Sequence, residues 1–120
     1  MDCLFCKIVN GEIPSNKVYE DDLVIGILDI NPNGEGHTLI IPKKHFLDVN
    51  DIDLEYLEEI NKASKIIVKL LNGKLNPSGI RLLQNNGNLQ EVKHYHLHVI
   101  PSYGRNRKKD VESIYQILTK

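Results

Sequence analysis

The stretch His94-Tyr95-His96-Leu97-His98-Val99-Ile100 decides how this chain is read. Three of the five histidines in 120 residues stand here at every second position, with Tyr95, Leu97 and Val99 between them. Successive side chains of an extended chain point to opposite sides, so strict alternation predicts a β-strand. One face, Tyr/Leu/Val, suits a core. The other carries three imidazoles, with neighbours about 6.6 Å apart at Cα and the outer pair about 13 Å apart. With Zn–N bonds of about 2.0–2.1 Å, one ion can take two neighbours but not all three. The three therefore do not share one task. A single histidine on such a face would simply look at solvent, but three in a row ask for a chemical reason.

Working outward, residues 3–10 can form a short helix that Gly11 and Pro14 break. Lys17–Glu20 and Leu23–Asp29 are apolar and partly β-branched around Asp21-Asp22, which predicts a hairpin. Asn31-Pro32-Asn33-Gly34 reads as a turn, and His37–Pro42 as a third strand. The spacing of Leu54, Leu57, Ile60, Ala63, Ile67, Leu70 and Leu71 predicts one long helix over 53–72. Asp53 can cap its start, and Gly73 can end it as the left-handed residue. Ile80–Gln84 reads as a fourth strand, 85–91 as a loop, and Val92–Ile100 as the fifth strand. Gly104–Lys109 reads as a basic, solvated loop, followed by a short amphipathic helix carrying Val111, Ile114, Tyr115 and Leu118. Strands grouped before and after one main helix give an α+β fold with an antiparallel sheet.

The length suits one domain, residues 1–120, with a core of useful size. Fifteen basic residues against sixteen acidic ones give no electrostatic reason to expect general binding to nucleic acid or a membrane. No apolar run approaches about 18 residues, and no charged segment with an apolar stretch behind it opens the chain, so a cytoplasmic protein is the expectation. The two cysteines, Cys3 and Cys6, are too few for a disulfide framework. A redox pair would need a preceding strand, which position 3 lacks. Inert thiols are a second reading. Half of a zinc site is the favoured one.

His-x-His-x-His followed by apolar residues resembles the signature of the histidine triad (HIT) family of nucleotide hydrolases and transferases. Cys3-Leu4-Phe5-Cys6-Lys7-Ile8-Val9-Asn10-Gly11-Glu12-Ile13-Pro14 resembles that family's opening segment. Leu28-Asp29-Ile30-Asn31-Pro32 and Gly36-His37-Thr38-Leu39-Ile40-Ile41-Pro42-Lys43-Lys44-His45 resemble two further blocks. The match covers about residues 3–101 and is nearest to the small bacterial-type members, the nucleoside phosphoramidate hydrolase branch. The resemblance implies a five-stranded antiparallel sheet with one main helix and short terminal helices, in a homodimer whose sheets join.

It also implies roles. His96 would be the nucleophile on an α-phosphorus, its Nδ1–H held by a backbone carbonyl, and His98 would contact the phosphate and help the leaving group. A neutral imidazole is a competent nucleophile near pH 7. Asp29 would bind the ribose hydroxyls, although on its own it reads as a turn cap. Phe5, Ile8, Ile27 and Ile30 would sandwich the base, although alone they read as core. Asn85, Gln90 and Glu91 would lie on the phosphate side. His37 matches no catalytic role and reads as a satisfied strand histidine. The family pattern supplies His45 and His94 as the second half of a structural zinc site with Cys3 and Cys6, leaving no catalytic cofactor.

The loop before the triad departs from that pattern. Where the family commonly has Gly-Gln-Ser, this chain has Leu89-Gln90-Glu91 in a loop about two residues shorter. Leu89 loses the close backbone approach that glycine permits, and Glu91 puts a carboxylate where a hydroxyl donor stood. Ser102 replaces a common basic residue. The expected function is hydrolysis of purine nucleoside 5'-phosphoramidates or related nucleotidyl conjugates. A dinucleoside polyphosphate hydrolase, a regulatory nucleotide-binding module with little turnover, and a metallohydrolase using His94 and His96 as neighbouring ligands stand as alternatives.

Overall fold

A computed structural model describes residues 3–104 and 109–120. The elements are α1 (Leu4–Val9), β1 (Lys17–Glu20), β2 (Val24–Leu28), β3 (Thr38–Pro42), α2 (Leu54–Leu75), β4 (Gly79–Gln84), β5 (Leu97–Ser102) and α3 (Val111–Leu118). A short 3-10 turn, Gly87–Leu89, lies between β4 and β5. The strands form one antiparallel sheet in the order β1-β2-β3-β5-β4. Thus β5 enters between β3 and β4, although α2 and β4 separate it from β3 in the chain.

Alternation along the central strands sorts their side chains onto two covered faces. Val24, Leu28, Ile40, Leu97 and Val99 pack under α2 against Ile60, Ala63, Ile67 and Leu71. Ile25, Ile27, Leu39 and Ile41 face the other way and cluster with Phe5 of α1. Gly26 sits on the α2 side, where a Cβ would stand 2.8 Å from Ile67 Cδ1, so the missing side chain lets the helix come close. Among the described residues no helix is long and apolar enough to cross a membrane.

The sheet, its order of elements and the single main helix match the α+β expectation. Several boundaries differ. Helix α2 runs through Gly73 to Leu75, and Asn76 (φ 51°) takes the left-handed cap position instead. Buried Leu75 continues the Ile60, Ile67, Leu71 series, and that burial outweighs the roughly 1 kcal/mol cost of a helical glycine. Asp53 stands at the N-cap, but its side chain makes no capping bond, and Leu54 is 77 % exposed rather than part of the apolar face. Strand β5 starts at Leu97, not at Val92. Before it the backbone bonds elsewhere: His94 N–H to Val92 O, and Tyr95 N–H to Phe46 O. Of the basic loop Gly104–Lys109, residues 105–108 lie outside the described residues.

Candidate functional site

On the sheet face opposite α2, a cavity of about 640 Å³ opens between α1, the ends of β2 and β3, the start of β5, and the loop after β4. Helix α1 contributes Phe5 and Ile8, and β2 contributes Ile27. Asp29 and Ile30 follow where β2 ends, Asn85 and Glu91 come from the β4–β5 loop, and His96 and His98 line the same space. Gln90 does not line it. Its side chain is buried, with Nε2 donating to Leu47 O at 2.7 Å and Oε1 left without a partner among the described residues.

The imidazoles have assigned tautomers, because each has a backbone partner at one end or a chain of bonds leading to one. His96 Nδ1–H donates to the His94 carbonyl at 2.8 Å, which leaves Nε2 with a free lone pair. The Asn33 N–H donates to His37 Nδ1 at 3.0 Å, so the His37 proton is on Nε2. His37 Nε2–H then donates to His98 Nδ1 at 2.9 Å, which leaves His98 with its proton on Nε2. Burial pushes His96 below the usual imidazole value, opposed by its bond to His94 and by the Asp29 and Glu91 charges. Burial, then the neighbouring His96 and His37 rings, push His98 down to about 4. Near pH 7 the site thus offers one bare ring nitrogen and one N–H donor, both on uncharged rings.

Asp29 does two things. Its Oδ1 accepts from Asn31 N–H at 2.9 Å, a turn-capping bond, and its Oδ2 lies 3.7 Å from His37 Nε2. His37, expected to be a satisfied strand histidine, is almost wholly buried just before β3 with both ring nitrogens hydrogen-bonded, and through them it joins this cluster. The signal was present in the alternation of His37, Leu39 and Ile41, which share a face. Only the pairing of β3 with β5, Leu39 opposite His98, shows that this face also carries the triad. Asp29, His37 and His98 could hold an ion by proximity alone. The 2.9 Å His37–His98 separation and the proton on His37 Nε2 mark a hydrogen-bonded relay instead.

His94 is turned away from the cavity. Its ring is fully buried, and Nε2–H donates to Pro42 O at 2.9 Å, leaving Nδ1 free. That Nδ1 lies 3.3 Å from Cys3 Sγ, 3.6 Å from Cys6 Sγ and 3.1 Å from His45 Nδ1. Cys6 Sγ is 3.3 Å from His45 Nδ1. Tetrahedral bond lengths of about 2.0–2.3 Å imply ligand–ligand edges of about 3.3–3.8 Å; the sulfur–nitrogen separations lie in that range and the His45–His94 one falls just short of it, so a small shift of the rings brings the four donors onto a single ion. Burial and the neighbouring Cys3 sulfur push the Cys6 thiol up to about 11. A divalent cation reverses that effect, since ligating thiols give up their protons. His94 and His96 do not converge on one point, and among the described residues His96 belongs to no metal-capable cluster.

Comparison with known proteins agrees with this geometry. The HIT domain profile matches residues 10–105. An uncharacterized HIT-like protein of Methanocaldococcus jannaschii is 47% identical over 103 residues, covering 84% of this chain and 79% of its own. The adenosine 5'-monophosphoramidase of Schizosaccharomyces pombe is 40% identical over 103 residues, covering 84% of this chain and 74% of its own. The crystal structure of a Zn-bound histidine triad family protein from Mycobacterium smegmatis superposes with a TM-score of 0.91 at 36% identity, covering 98% of this chain and 91% of that one. With its sheet, its row of histidines and its relatives in accord, this chain belongs to the HIT family.

Proposed function

We propose that this protein is a nucleotide hydrolase that cleaves purine nucleoside 5'-phosphoramidates through a covalent nucleotidyl-histidine. The observation that carries the reading is the His96 Nδ1–H bond to the His94 carbonyl, which leaves a nucleophilic Nε2 on a ring lining the cavity. Nε2 attacks the α-phosphorus and the P–N bond to the leaving amine breaks. His98 Nε2–H supplies the proton that the amine takes. Water then attacks the phosphorus and gives a proton back to His98 Nε2, the P–N bond to His96 breaks, and nucleotide leaves. Two displacements replace one difficult step. Asp29 accepts from the ribose hydroxyls, Phe5, Ile8, Ile27 and Ile30 hold the base, and Asn85 faces the phosphate. Gln90 acts indirectly, by tying the loop to Leu47.

The Cys3, Cys6, His45 and His94 set is read as a structural zinc site. Four protein ligands leave no open position, so the ion holds the N-terminal segment to the sheet and plays no part in the chemistry. Free thiols kept as metal ligands suit a reducing, cytoplasmic compartment. The outer edge of β4, with Leu82 and Leu83 exposed, suits joining of the sheet to that of a second copy in a homodimer. The name carried by the fungal relative supports the substrate class. A steady-state assay tests it: adenosine 5'-phosphoramidate should be converted to AMP faster than diadenosine polyphosphates. Tight AMP binding without turnover would favour the regulatory module instead.

A further inference from the structure

Helix α1 is six residues long, too short to be stable by itself. Its N-cap is Cys3, whose sulfur accepts from the Cys6 N–H at 3.4 Å. The backbone bonds of residues 3–13 stay within that segment, from Lys7 N–H to Cys3 O through to Ile13 N–H to Lys7 O. Among the described residues, this segment reaches the rest of the chain by polar contacts only through its two sulfurs. Cys3 Sγ lies 3.3 Å from His94 Nδ1, and Cys6 Sγ lies 3.3 Å from His45 Nδ1 and 3.6 Å from His94 Nδ1.

Packing supplies the second hold. Phe5 is 4% exposed and inserts among Ile25, Ile27, Leu39 and Ile41. Its ring stands nearly perpendicular to those of His94 and His96, with centroids 5.8 Å and 5.0 Å away. One side chain thus meets a candidate metal ligand, the proposed nucleophile and the cavity. Cys3 and Cys6 bracket Phe5 in sequence, so an ion that fixes both sulfurs also fixes the wall that Phe5 and Ile8 present to the cavity. A nucleotide whose base lies against that wall orders the same segment. Two ligands that order one segment bind more tightly together than apart.

We propose that α1 is a metal-locked wall, with Phe5 as the positioning residue that couples occupancy of the Cys3, Cys6, His45 and His94 set to nucleotide affinity. This rests on the nucleotide and zinc readings of the two sites. The ion touches no reacting atom. The bond that orients His96 runs to the His94 backbone and not to its ring, so occupancy acts on KM rather than on kcat. By linkage, nucleotide tightens zinc binding by the same factor.

The test compares the zinc-loaded chain with the chelator-stripped one, both checked for folding by circular dichroism. AMP, measured by calorimetry, should bind about fivefold or more weakly to the stripped form, within the ordinary range of coupling between sites. Zinc affinity, measured against a chromophoric chelator, should rise by that factor in saturating AMP. KM for adenosine 5'-phosphoramidate should rise on stripping, with kcat little changed. Phe5→Leu keeps an apolar side chain but loses the ring contacts. It should still bind zinc, and its AMP affinity should no longer depend on the metal. Should the stripped chain unfold, zinc release from the loaded protein into excess chelator answers instead: AMP should slow it in the wild type but not in Phe5→Leu. Equal AMP affinity of the loaded and stripped forms, or zinc release indifferent to AMP, overturns the coupling alone. The same metal dependence in Phe5→Leu overturns the role of Phe5. AMP binding to neither form overturns the nucleotide reading, and a chain that takes up no zinc overturns the zinc reading, each with the coupling.

Discussion

The His94 backbone carbonyl holds the His96 ring by a 2.8 Å bond, while the His94 side chain faces Cys3, Cys6 and His45. One residue thus orients the proposed nucleophile with its main chain and anchors the N-terminal segment with its imidazole. The candidate metal ligands and the proposed nucleophile share a backbone segment without sharing a ligand.

Replacing the nucleophile should abolish turnover. His96→Ala is expected to lower kcat/KM for adenosine 5'-phosphoramidate by more than about a hundredfold, since a covalent nucleophile supplies several kcal/mol of barrier reduction. AMP affinity, measured by calorimetry, should change little.

His37 should act as a positioning residue through His98. His37→Asn removes the Nε2–H that donates to His98 Nδ1, and kcat should fall about tenfold or more. His37→Gln keeps an N–H near that point and should recover part of the rate. Equal rates in both variants, with the wild-type pH profile, would assign His37 to packing alone.

Metal removal should act on stability before chemistry. Protein purified without a histidine tag should carry about one zinc per chain. The Cys3→Ser/Cys6→Ser double variant should lose it and melt about 5–10 °C lower, as expected for roughly 1–2 kcal/mol in a chain of this size. Some turnover should remain. A metal-free protein of unchanged Tm would remove the zinc site from the fold.

Acid should weaken the β1–β2 hairpin through Asp21. Desolvation raises its pKa, but a proton shared with the Glu59 carboxyl, which is pushed up in return, and hydrogen bonds from the Tyr19 hydroxyl and the Leu23 and Val24 amides outweigh this and hold it at about 2. Those bonds include Tyr19 O–H at 2.7 Å, Leu23 N–H at 2.8 Å and Val24 N–H at 2.9 Å. A lowered folded-state pKa stabilises the protein above the ordinary value near 3.8 and loses that contribution as pH falls through about 2. Asp21→Asn should cost about 1 kcal/mol at pH 7 and flatten the dependence of urea midpoints between pH 5 and 2.

How much of this was legible in the sequence depended on range. Alternation at Tyr95, Leu97 and Val99 named the core face correctly, since those three pack under α2 even though the strand starts only at Leu97. Local patterns missed the helix end, because a glycine signal at 73 yields to tertiary burial of Leu75. The family resemblance put Gln90 on the phosphate side, but its amide is spent on Leu47, a contact across the loop. His37 became readable only with strand order, because its partner His98 is 61 residues away.

The most direct measurement is mass spectrometry of protein quenched within the first turnover of adenosine 5'-phosphoramidate. A single adenylyl adduct is expected, located on His96, chased away by water and absent in His96→Ala. Rapid AMP release with no adduct at any time, or an adduct on His94 or His98, would contradict the nucleotidyl-His96 mechanism.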